Sequence, residues 1–172
     1  MIVFKNNFLI SLWFCIAGVW HIPGYAAAVA PHSSDEKVIQ VWMDSHVRRV
    51  QGGEQKNARS HAAGDLDGDG RSDLAVLYTI KPREARRGES RYLAVFRRQR
   101  GQLRYHAHVL VSGPGAGEAN RVTVLNRVAV VEMLVFAPGD ARCCPTRPAT
   151  RRYRLDANGL TLIPPKPAAR KH

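Results

Sequence analysis

Four aspartates fall within nine residues, at Asp65, Asp67, Asp69 and Asp73, with Gly68 and Gly70 between them. Carboxylates packed this closely repel one another unless protons or a cation intervene. Asp65, Asp67 and Asp69 take loop positions one, three and five. Gly70 supplies a sharp turn at position six, the backbone carbonyl of Arg71 falls at seven, and Asp73 at nine. The spacing converges oxygens on one hard cation, and calcium, which accepts carboxylates, carbonyls and water, suits it best. The expected ligands are therefore the side chains of Asp65, Asp67, Asp69 and Asp73 with the Arg71 carbonyl. The competing reading is a solvated acidic turn that binds nothing tightly. An EF-hand is excluded, because position twelve is Val76 where a glutamate is required. The ion's expected role is structural: no acid–base partner accompanies the loop, and the chain is not expected to be an enzyme.

The loop needs strands to hold it. Residues 74–80 form an apolar run with β-branched and aromatic members, which predicts a buried strand. Residues 60–64 are placed to be its partner. A strand–acidic loop–strand unit with the pattern D-x-D-x-D-G-x-x-D resembles the calcium loops of FG-GAP repeats of the integrin and VCBS type. The resemblance covers about residues 60–80 and implies the same five ligands. Those families build propellers from tandem copies, whereas one copy is present here. Asp156-Ala157-Asn158-Gly159 lacks further acids and reads as a hairpin turn. The resemblance therefore extends to the loop and not to a propeller.

Residues 1–28 read as a secretory signal peptide, with an uncleaved membrane anchor as the competing reading: Lys5 in a positive leading segment, an apolar stretch from Phe8 to Trp20, a break at Pro23-Gly24, and cleavage after Ala28. The expected location is periplasmic or secreted, with no membrane span after cleavage. Cys143 and Cys144 are then the remaining cysteines, adjacent and followed by Pro145. A vicinal disulfide, two free thiols and an intermolecular bridge all remain open from spacing alone. With the acidic loop early and a C-C-P turn late, the chain resembles small exported bacterial proteins of unassigned role, over about residues 35–162.

The formal charge is +12, and loss of the signal with Lys5 leaves about +11. Lys81, Arg83, Arg86, Arg87 and Arg91, followed by Arg97, Arg98 and Arg100, form a basic stretch. Residues 164–172 form a proline-rich basic tail, expected to be disordered. Such a surface would gather acidic glycans, lipid headgroups or nucleic acid, which makes polyanion binding the alternative function. No aromatic interleaving or nucleic-acid motif accompanies the charge.

Residues 33–163 are expected to form a single domain. Ser33 and Glu36 have capping-box spacing, and Val38, Val41 and Trp42 recur at helical intervals, predicting a helix to about Val50 that Gly52-Gly53 stops. Strands are expected at 92–96, 103–111, 121–125, 128–136, 153–155 and 160–163. One helix followed by a run of strands argues for α+β, an N-terminal helix packed on a mainly antiparallel β-sheet. His106 and His108 alternate on a predicted strand but lack a third ligand for a metal. Residues 112–117 are glycine-rich without the lysine of a phosphate cradle, so they read as a flexible loop. Asp44, Ser45 and His46 are neighbours in sequence, which does not make them a triad.

Overall fold

The computed structural model describes residues 31–84 and 88–165. The expected signal peptide, Arg86, Arg87 and most of the basic tail lie outside the described residues. The described residues form one helix and two antiparallel sheets. Helix α1 (Ser33–Arg49) is followed by β1 (Gly52–Glu54), a short 3-10 turn (Lys56–Ala58), β2 (Ser60–Gly64), β3 (Asp73–Pro82), β4 (Ser90–Gln99) and β5 (Gln102–Ser112). The second sheet comprises β6 (Glu118–Leu125), β7 (Val128–Val135), β8 (Arg147–Asp156) and β9 (Gly159–Ile163). In the first sheet the order is β1-β3-β4-β5, and β2 shares the β3 edge with β1; the second runs β6-β7-β8-β9. The strands thus divide between two sheets where the sequence suggested one. No helix among the described residues is long and apolar enough to cross a membrane.

Strand β3 explains the division. Its residues from Asp73 to Ile80 are buried on both faces. Ala75 and Leu77, with Leu93 and Val95 of β4, share a core with Val122, Ala129, Val131, Met133 and Tyr153 of the second sheet. On the opposite face Leu74, Val76, Tyr78 and Ile80, with Ala94 and Phe96, cluster with Ile39 and Met43 of α1. A strand with apolar side chains pointing both ways needs a cover on each side, and the period of two supplies both faces from one run.

The helix ends at Arg49, as its glycine stop predicts, but its start differs from the capping box. Ser33 is the first helical residue, His32 occupies the cap position, and no side chain caps it. Glu36 is drawn instead to Arg59, which precedes β2. Strand β8 is ten residues long where three were expected, because its first half alternates arginine and threonine with half-buried Ala149 and Arg151 rather than showing apolar periodicity.

Gly117 lies at the joint between the sheets with φ +106, and a Cβ there would sit 2.2 Å from the Leu134 carbonyl oxygen. Both the conformation and the backbone contact demand glycine. Gly117→Ala is expected to lower unfolding stability by about 1–3 kcal/mol, read from urea denaturation. A change too small to resolve would mean that the β6–β7 register shifts freely.

Candidate metal centre

The acidic loop bridges β2 and β3. Leu66, its second residue, is buried in the core between the sheets and anchors it. Asp73 opens β3 and is itself buried. Its Oδ2 accepts the Leu66 N–H at 3.1 Å, and its Oδ1 accepts the Arg98 N–H at 2.8 Å, so one carboxylate ties both ends of the loop to β4. Asp65 accepts the N–H groups of Gly68 at 2.6 Å and Gly70 at 3.1 Å, which curls the chain around its carboxylate. Gly70 has φ +79, the left-handed turn that the sequence called for. Asp67 accepts the Asp69 N–H at 3.1 Å and Asp69 the Arg71 N–H at 2.8 Å, two successive side-chain-to-backbone turns.

This folding brings together three of the expected ligands. Asp65, Asp67 and Asp73 each present a carboxylate oxygen within 4.8 Å of the others, close enough to hold a metal ion. Each carboxylate still has free lone pairs beyond its N–H bonds. Asp69 is outside this trio; its Oδ2 lies 4.0 Å from the Arg71 guanidinium.

The electrostatics are uneven. Burial raises the Asp73 carboxyl above its ordinary range; its N–H bonds oppose this, and the neighbouring Asp67 and Asp69 add to it. Burial pushes Asp67 in the same direction, but the Asp69 N–H and the Arg97 guanidinium outweigh it and hold the group low. Arg97 pairs directly with Asp67. The Arg127 guanidinium donates to the Asp67 carbonyl oxygen at 2.6 Å. Arg98 reaches the other way, gripping buried Asp35 of α1 at 2.7 Å and the Ser72 carbonyl oxygen at 3.0 Å.

Arg97 and Arg98 therefore serve acidic partners rather than an open basic surface. Among the other residues expected to meet polyanions, Lys81 and Arg83 are exposed at the end of β3, and Arg91 is half-buried in a cavity wall. Cys143 and Cys144 form a vicinal disulfide, Cα to Cα 3.8 Å. Asp140 organises the turn around them by accepting the N–H groups of Ala137 at 2.7 Å and Thr146 at 2.9 Å.

A group of rings between α1 and the first sheet escaped the sequence reading. A register shift opposite Val95 and Phe96 breaks the alternation of β5. Tyr105, rather than His106, consequently meets His108, with its hydroxyl 2.6 Å from Nδ1. Trp42 stacks on both Tyr105 and His46, and His46 packs edge-on against His108 with ring centres 4.7 Å apart. His46 is 3% exposed, and neither of its ring nitrogens has a hydrogen-bond partner. Bulges leave no compositional mark, so the strand pattern could not reveal this contact.

No protein-family model, curated protein or solved structure matches this chain.

Proposed function

We propose that this is an exported protein in which one calcium ion, held by the 65–73 loop, clamps the turn between β2 and β3. The observation that carries the reading is the convergence of Asp65, Asp67 and Asp73 within 4.8 Å, at loop positions one, three and nine. Asp69 and the Arg71 carbonyl complete the set once the Asp69 side chain turns inward, as the FG-GAP-type pattern implies. Calcium is favoured over magnesium because the donors are several carboxylates with a backbone carbonyl, whereas magnesium demands near-octahedral geometry and keeps its water. The ion's work is structural. It offsets the burial and, after it, the mutual repulsion that raise Asp73, and it fixes the first residue of the strand that both cores share.

The test is thermal unfolding with chelator and with excess calcium. At a free concentration of about 100 times Kd the ion should add about 2.7 kcal/mol, seen as a rise in Tm. Asp67→Asn should abolish most of the rise, whereas Asp156→Asn in the β8–β9 hairpin should preserve it. Equal Tm values in chelator and in calcium would refute the reading.

A further inference from the structure

A cavity of about 230 Å³ lies at the end of β4 remote from the acidic loop. Three segments wall it: the entry to β4 with Glu89 and Arg91, the glycine-rich 112–117 connection running into Glu118, and the β7–β8 connection with Phe136, Arg142 and Cys143. Arg91 and Arg142 form no ion pair or side-chain hydrogen bond among the described residues, and neither does Glu118. Two uncommitted guanidiniums and an uncommitted carboxylate facing one small space form a binding surface of mixed sign.

We propose that this cavity binds a single acidic sugar residue, a polyol ring carrying one carboxylate. Its volume is below the range of about 300–1,000 Å³ typical of drug-sized ligands, and suits one ring. The guanidiniums match a carboxylate in charge and in planar donor geometry. Glu89 and Glu118 act as a filter. They repel a ligand that is only anionic, and they accept hydrogen bonds from hydroxyls, so a ring bearing both an acid and several O–H groups satisfies both signs. Phe136 and Cys143 in the lining supply an apolar, polarisable face for the C–H side of such a ring. Connection 112–117, which lacks the lysine of a phosphate cradle, serves as a wall whose glycines let a ligand approach the backbone closely.

The site is independent of the calcium loop, so the two readings can fail separately. The experiment is an amide NMR titration of the full chain, disulfide intact, with glucuronate, glucose, inorganic phosphate and glutamate as separate probes. Saturable shifts with glucuronate are expected at Arg91 and in the amides of Gly113, Gly115, Ala116 and Gly117. Glucose should bind at least about tenfold more weakly, and Arg91→Met and Arg142→Met should each cost glucuronate about tenfold or more. Asp156→Asn, outside both sites, should leave glucuronate binding intact, and chelator should leave it intact too. The proposal is overturned if glucuronate gives no saturable shift or acts elsewhere. It is equally overturned if phosphate or glutamate binds as tightly, or if both arginine variants, folded by their spectra, keep wild-type affinity.

Discussion

Arg59→Met is expected to lower the free energy of unfolding by about 3–5 kcal/mol. Arg59 lies just ahead of β2 with a side chain 6% exposed, and the Glu54 side chain it faces is 4% exposed. Two bonds join them, Nε to Oε1 at 2.7 Å and Nη2 to Oε2 at 2.6 Å, the planar fork that guanidinium and carboxylate favour. Nη1 pairs with Glu36 of α1, and Nη2 lies 3.3 Å from Gln40. Burial alone would make the guanidinium easier to deprotonate, but Glu54 and then Glu36 more than reverse that. The pair need not be more stabilising than two apolar residues; the loss comes from stranding Glu54, buried, without a counter-ion. Glu36, at 43% exposure, can turn to water and adds little. The double variant Glu54→Gln with Arg59→Met should accordingly recover part of the loss. Denaturant titration of the four proteins in the cycle measures this, and a single-variant loss under about 1 kcal/mol would show that Glu54 reaches solvent.

The second large effect is acid sensitivity from His46. Burial first, then the nearby His108 and Arg49, lower its pKa from 6.5 to about 4. The groups packed around it from the sheet are His108, also lowered by burial, and the rings of Tyr78 and Tyr92, and no acid among the described residues contributes to its shift. A depressed histidine contributes stability that is complete above the unfolded value, 6.5, where both states are neutral. As pH falls below that, the unfolded chain takes up the proton first, and the contribution is lost until the folded state also protonates near 4. The gap between those values corresponds to roughly 3 kcal/mol. His46→Phe keeps a planar ring against Trp42, removes two unpartnered nitrogens, and should leave stability at pH 7 equal or higher. Carboxylates titrate in the same range, so the quantity to follow is the difference between wild type and variant from pH 7 to pH 4. Parallel curves would show that His46 finds water when it charges.

The acidic loop and its strand were legible because their signal is local. Asp65, Asp67 and Asp73 converge through bonds spanning a few residues, and Gly70 turns where the spacing requires. Asp69 lies outside the trio; its carboxylate accepts the Arg71 N–H and sits 4.0 Å from that residue's guanidinium, contacts that ligand spacing does not encode. Helix α1 was recognisable by periodicity, whereas its Ser33–Glu36 cap was overridden by Arg59, a tertiary partner 23 residues away from Glu36. Strand β1 hid in Gly52 and Gly53, residues that stop a helix and here also pair with Pro82 and Lys81. The basic stretch read as one surface, yet strand alternation sends Arg97 to Asp67 and Arg98 to Asp35, on different elements. The split into two sheets depends on what each face of β3 meets, and that is a property of the whole chain.

The sulfur bridge at Cys143 and Cys144 joins residues with a sequence separation of one. A cross-link stabilises a fold chiefly by forbidding the denatured chain its wide conformations, and the benefit grows with the length of chain enclosed. This bridge encloses no intervening residue. It leaves the denatured chain almost as free as before, so it does not act as a staple. What it constrains is a single peptide unit beside buried Pro145, setting the local shape of the surface there while the two packed cores carry the fold.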